Sequence, residues 1–189
     1  MAYAVVALLL GVAVGLATGG RLRNLGEHRL AAWWVLPLGV GAQLVSNQLG
    51  GDAAFALLLA SYVLLAAFTV ANIRIFGMVA VTIGLLANLL VIAVNEGMPV
   101  RREAVIKAGI ADDDRDLATI SMQSKHHYER PSDDLMILAD IIPVRPLREV
   151  LSIGDVAMSA GIAAVVAALL RKEPSHPLAE HTRSLPSEG

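Results

Sequence analysis

Two carboxylates stand where a carboxylate is costly. Asp155 lies in the apolar run Leu151-Ser152-Ile153-Gly154-Asp155-Val156-Ala157-Met158-Ser159, and Asp140 is flanked by Leu138, Ala139, Ile141 and Ile142. An aspartate in hydrocarbon costs at least ~2.5–3.5 kcal/mol on insertion scales, so Asp155 should face the protein interior or a water-filled pocket. Two such groups brought together raise one another's pKa, can share a proton and can activate water. Asp140 and Asp155 are therefore the candidate catalytic pair. Each also has a structural explanation. Asp155 suits an N-terminal carboxylate that stabilises a helix dipole; Asp140 suits a local cap or an ion-pair partner of Arg145 or Arg148.

Candidate ligand-binding residues surround this pair: Asn95, Lys125, His126, His127 and Ser152. Ser152, Asp155 and Ser159 share one helical face, and so do Gly84, Asn88 and Asn95. His126 and His127 are adjacent and point in different directions on a helix or a strand, which makes joint ligation of one ion awkward. One of them with Asp133, Asp134 or Asp140 would suit zinc or manganese. The alternative, a basic patch with Lys125 and Arg130 that meets lipid headgroups, is favoured, and no metal or cofactor is assigned. The acidic run from Asp112 to Asp116 lacks the glycine and final glutamate of a calcium loop and reads as solvated.

The elements that must hold these residues are apolar. The 189-residue chain is 56% hydrophobic and only 17% charged, with a mean hydropathy of +0.62. A net charge of −2 does not suggest nucleic acid as a partner, and the absence of cysteine rules out disulfides and thiol chemistry. Apolar runs at about 2–18, 31–47, 53–70, 75–94 and 150–170 approach the ~20 residues needed to cross a bilayer. They predict an all-α polytopic membrane bundle of five transmembrane helices, one membrane domain over 1–172. A long loop, 95–149, joins the fourth and fifth helices, and 173–189 reads as a disordered tail. Within the loop, Pro99 is placed to start a short helix that Gly109 ends. Leu135 to Ile142 is apolar enough to touch the membrane or pack on the bundle, so a partly ordered cap is expected.

Gly11, Gly15 and Gly19 recur every fourth residue in the first helix, with Ala7 before them. This is a face for close helix packing, in the chain or in an oligomer. Trp33 and Trp34 suit an interfacial belt, and Arg21, Arg23, Arg29, Arg74, Arg171 and Lys172 all fall at one end of the bundle. The N-terminus lacks the basic region of a signal peptide, and Arg21 and Arg23 follow the first helix at once. The expected orientation is N-terminus outside and C-terminus cytoplasmic, with the long loop on the outer face.

Two resemblances follow from particular residues. Asn95-Glu96-Gly97-Met98-Pro99-Val100, Lys125-His126-His127, Leu138-Ala139-Asp140-Ile141-Ile142-Pro143 and Ser152-Ile153-Gly154-Asp155 with Gly161 together resemble an uncharacterised family of small bacterial integral membrane proteins. That resemblance implies a topology and no activity. Locally, Asp155, Ala157 and Gly161 are spaced as in the last catalytic motif of signal peptidase II, an intramembrane aspartic protease, and Asn95-Glu96-Gly97 is similar to its N-x-G stretch. Ser152 stands where that motif has asparagine, its second aspartate motif G-N-x-x-D-R is missing, and it has four spans. The likeness implies an acid/base role for Asp155 alone.

The sequence thus points to a binding or accessory module of the cell envelope that acts at the outer membrane–water interface. Its expected partners are membrane lipids, an envelope protein or a lipid-linked ligand. An intramembrane aspartic hydrolase using Asp155 and Asp140 is the alternative. A small transporter is disfavoured, because the first and third helices carry no acidic or basic residue and there is no inverted repeat.

Overall fold

The computed structural model describes residues 2–120, 122 and 125–171. The expected tail, 173–189, lies outside the described residues. Five long helices carry the fold: α1 (Ala2–Ala17), α2 (Val35–Ser46), α3 (Gly51–Ala71), α4 (Met78–Asn95) and α7 (Ile153–Leu169). α5 (Arg102–Lys107) and α6 (Asp114–Leu117) are short and lie between α4 and α7. α3 and α4, of 21 and 18 residues, are long and apolar enough to cross a membrane; α1, α2 and α7 are apolar but shorter.

The long helices pack in the order α2, α3, α4, α7, α1. Small residues set the tightest contacts. A Cβ on Gly161 of α7 would lie 2.6 Å from the Val81 nitrogen and 2.8 Å from the Gly77 oxygen, so α4 and α7 meet almost backbone to backbone. Gly11 and Gly15 of α1 press against Ala163, Val166, Ala167 and Leu170 at the α7 end of the chain. These two glycines are covered within the chain, and Gly19 has nothing within 4 Å.

Polar side chains join the helix ends. The Asn72 amide accepts from the Ala31 nitrogen at 2.8 Å and donates to its oxygen at 2.9 Å. The Asn24 amide donates to the Leu170 oxygen at 2.8 Å. Thr82 donates to Thr69 at 2.9 Å between α4 and α3. Each such bond satisfies polar groups that would otherwise be buried alone. The apolar core runs through Val35, Leu58, Tyr62, Leu65, Phe68, Val81, Leu85, Ile92 and Val165.

The described residues between α4 and α7 form a cap. β1 (Met98–Val100) pairs in parallel with β2 (His126–Tyr128), Met98 opposite His126. β3 (Ile142–Val144) pairs antiparallel with β4 (Glu149–Leu151). Val100, Val105, Ala111 and Leu117 form a second small core, with Ile106, Ile110, Ile120, Met122 and Val150 against it. Leu138 reaches back to the bundle core.

Several boundaries differ from the sequence expectation, each for a local reason. Pro99 does not open a helix. It lies inside β1, and α5 starts three residues later at Arg102, closing before Gly109 in a left-handed conformation (φ +70°). The acidic run is not simply a solvated loop, because Asp113 caps α6 by accepting from the Arg115 and Asp116 nitrogens, both at 2.9 Å. Val150 and Leu151 belong to β4, so the last helix begins at Ile153 rather than 150.

Candidate functional site between the bundle and its cap

The first turn of α7 fixes Asp155. Ser152 is the N-cap: its hydroxyl accepts from the Asp155 nitrogen at 2.9 Å, and the Asp155 carboxylate accepts from the Ser152 nitrogen at 3.1 Å. This is a capping box, which satisfies two otherwise free N–H groups. The other carboxylate oxygen faces the bundle. It accepts from the Asn88 amide of α4 at 2.9 Å and from the Tyr3 hydroxyl of α1 at 3.4 Å. The Asn88 oxygen in turn accepts from the Ser152 hydroxyl at 2.9 Å. Asn88, Ser152 and Asp155 are all buried, so a closed polar network ties α1, α4 and α7 together. Gly154 makes room for it, since a Cβ there would run into the Asn88 amide.

The cap supplies Asp140. An isolated parallel bridge to Val100 holds its backbone beside β1: the Asp140 nitrogen donates to the Pro99 oxygen, and the Arg101 nitrogen donates to the Asp140 oxygen, each at 3.0 Å. β2 lies beside β1 as well and brings the His126 ring to 3.5 Å from one Asp140 carboxyl oxygen. The other oxygen, Oδ1, is buried without a hydrogen-bond partner. Burial, the nearby Asp155 charge adding to it, pushes the Asp140 carboxyl up to about 8, against a smaller opposing effect of Lys125. Burial also pushes His126 down to about 4, helped by Lys125 and His127. Both members of the contact are thus driven to their neutral forms. We read it as a carboxylic acid facing a neutral imidazole, not as an ion pair. Burial lowers the Lys125 pKa too, with Asp155 and Asp140 opposing the shift.

Asp140 and Asp155 line one cavity of about 450 Å³ between the bundle and the cap. Tyr3, Tyr62 and Asn88 close its bundle side, so α1, α3, α4 and α7 all reach it. Lys125, His126, Arg148 and Glu149 supply polar groups from the cap, and Val105, Ile110, Ile120 and Met122 give it an apolar wall. The walls suit a ligand with a polar head and an apolar part.

The sequence-predicted residues divide at this cavity. Asp140, Asp155, Lys125 and His126 line it. Ser152 is fully buried, with its hydroxyl used as donor and acceptor, so it positions Asp155 rather than meeting a ligand. Asn95 is also engaged. Its amide donates to the Val91 and Asp134 oxygens and accepts from the Asp134 nitrogen, pinning the cap to the end of α4. His127 points away from His126 and contacts Asp133 at 3.2 Å from Nε2. Among the described residues no group of three His, Cys, Asp or Glu side chains could hold a metal ion. The expected partners of Asp140, Arg145 or Arg148, give way to His126, which the parallel β1–β2 pairing delivers. With that burial His126 is no longer part of a basic patch near neutral pH.

Tyr3, Tyr62 and Asn88 are the site residues that sequence reasoning missed. Asn88 carried a signal: it is a lone amide mid-helix in an apolar segment, on the Gly84 face that meets α7. The two tyrosines carried none, since a tyrosine in an apolar helix is ordinary core.

The model of a family of unknown function, DUF5317, matches residues 27–167. No curated protein and no solved structure matches the chain. Asp155, the residue to which the likeness to signal peptidase II gives a role, forms a capping box with Ser152 at the opening of α7.

Proposed function

The chain belongs to the DUF5317 family of unknown function, and we propose that it is a five-span membrane protein whose cap and bundle bind an amphiphilic ligand at the outer membrane–water interface. The observation that carries the reading is the shared cavity, which joins a buried, half-satisfied carboxyl from the cap to a fully bonded one from the bundle. An apolar wall beside polar groups fits a lipid or lipid-linked molecule better than a fully solvated solute.

The five-span topology rests on two supports. Large apolar side chains point outward on every long helix, among them Leu9, Leu44, Val63, Ile83 and Val156. An exterior of this kind needs a cover, and hydrocarbon provides one. Arg21, Arg23, Arg29, Arg74 and Arg171 sit around the inner helix ends, as the positive-inside rule asks. The short helices α1, α2 and α7 then span with help from Trp33, Trp34 and the cap, or in a locally thinned bilayer.

Photo-crosslinking tests the binding reading. The full chain, reconstituted with a photoactivatable phospholipid, is expected to crosslink at Ile120 and Met122 of the cap as well as along the helix exteriors. Lys125→Ala or Asp155→Asn should remove the cap adducts and leave the others. Labelling confined to the helix exteriors in the unaltered protein would refute the reading.

A second reading, an intramembrane aspartic hydrolase, draws on one further observation. Asp140 is biased towards the acid form near neutral pH beside a carboxylate held by Asn88 and Tyr3. An acid and a carboxylate in one cavity are the groups such hydrolysis needs. It predicts a cleavage product from a captured lipid-linked ligand, lost in both Asp155→Asn and Asp140→Asn while the Asp140→Asn protein still binds. Binding without any product in the unaltered protein would leave the first reading alone.

A further inference from the structure

A second cavity lies at the opposite end of the bundle, away from the carboxylates. It is a trough of about 780 Å³ between α1 and the α3–α4 turn. Its floor is the inner half of α7, where Ala164 and Ala168 leave space that larger side chains would fill. Leu10 and Val14 form one wall, and Phe76, 78% exposed, forms the other.

The inner end of the trough is basic. Arg74, Arg171 and His28 all line it. Arg171 is held in place, its guanidinium donating to the Thr18 hydroxyl at 3.2 Å, while the His28 ring contacts the Arg171 backbone oxygen at 3.0 Å. Arg74 is exposed and makes no ion pair among the described residues. The helix segments that border the trough, 2–18, 72–80 and 156–170, contain no acidic residue, and Glu27, next to His28, is exposed. A second copy of this chain docked here in a symmetric contact would bring arginines to arginines. An apolar slot that ends at Arg74 and Arg171, neither in an ion pair among the described residues, suits an occupant with an acyl chain and an anionic head.

We propose that this trough is a binding site for an anionic phospholipid of the inner leaflet, with one acyl chain over the α7 alanines and its phosphate between Arg74 and Arg171. The site is separate from the cap cavity and does not depend on what that cavity binds. Each arginine near such a headgroup is worth roughly 1 kcal/mol, which is about fivefold in affinity.

Native mass spectrometry of the full chain in a neutral detergent tests this, with phosphatidylglycerol and phosphatidylcholine of identical chains as probes and glycerol phosphate as a chain-free control. Phosphatidylglycerol should bind about tenfold or more tighter than phosphatidylcholine, and glycerol phosphate should not compete. Arg74→Ala should weaken phosphatidylglycerol about fivefold. Ala168→Phe, which fills the trough, should abolish the tight site without changing the melting temperature in phosphatidylcholine. Arg74 is exposed, so its variant remains informative even if Ala168→Phe folds poorly. Equal affinity for the two lipids, competition by glycerol phosphate alone, or a dimer that Ala168→Phe disrupts would overturn the proposal.

Discussion

The bundle and the cap solve the problem of buried polar groups in opposite ways. Where polar side chains join two segments of the bundle they are partnered at ordinary length, Asn72 with Ala31, Thr82 with Thr69 and Asn88 with Asp155, although Asn47 Oδ1 and Ser159 Oγ are buried there without a partner. In the cap Asp140 keeps one carboxyl oxygen unpaired and its remaining contact, to His126, is long. At the cavity they share, the bundle therefore spends its polar residues on joining helices, while the cap keeps a carboxyl oxygen that remains available to something else. Buried polar atoms without partners are uncommon, and each one calls for an explanation such as a ligand.

The largest effect should come from the bundle's tightest seam. Gly161→Leu drives a side chain into Val81 and the Gly77 backbone, and should prevent assembly of α4 on α7. Overpacking of this kind costs about 1–3 kcal/mol or more. Thermal unfolding in detergent should show loss of the main transition; an unchanged transition would mean that the helices do not meet there.

Asn88→Ala comes next. It strips Asp155 and Ser152 of a shared partner in a buried setting, at a cost of about 1–3 kcal/mol. His126→Ala should leave the same transition nearly in place and loosen only the cap. Hydrogen exchange separates the two. Faster exchange in α7 for the first variant and in β1 and β2 for the second is expected, and the reverse pattern would erase the contrast between the regions.

The third prediction concerns pH. Asp140 has a folded-state pKa of about 8 against an ordinary 3.8. Its raised value stabilises the cap fully below the lower figure, and that contribution is lost as pH rises towards the upper one. His126, depressed from 6.5 to about 4, acts in the opposite sense: its contribution is present above 6.5 and lost as pH falls through about 4. In Asp140→Asn the cap should lose the alkaline decline and keep the acid one. A variant whose cap protection still declines as pH rises from about 6.5 to about 8 would show that another group carries the alkaline decline.

The smallest effect is expected at the exposed pair Glu103 and Lys107, 2.6 Å apart one turn along α5. Lys107→Ala should leave the cap's melting and exchange unchanged within error, since solvent screens such pairs. A clear loss would mean that α5 is far more marginal than its packed Ala104 and Val105 suggest.

What the sequence discloses differs between the two regions for the same reason. The long helices were legible because hydrophobicity and small-residue spacing are local signals, and the five apolar runs match α1, α2, α3, α4 and α7 to within a few residues at most ends. The cap was legible only as a segment with apolar patches. Its strands are three residues each, and β1 pairs with a strand more than twenty positions away, so no periodicity announces them. Asp140 and Asp155 stood out because each is a charge in an apolar run. Asn95 and Ser152 stood out equally, yet their hydrogen bonds commit them to holding the cap and α7. Sequence spacing cannot distinguish a polar group that is spent from one that is spare.

The central claim is that Asp140 and Asp155 face one cavity across the boundary between cap and bundle. Infrared titration of the protonated-carboxyl band in the reconstituted full chain tests it most directly, with Asp140→Asn used to assign the band. The Asp140 band should persist up to a pH of about 8, disappear in Asp140→Asn and titrate lower in Asp155→Asn, because the Asp155 charge helps to raise it. A band that titrates in the ordinary carboxylate range, or that Asp155→Asn leaves unmoved, would contradict the shared cavity.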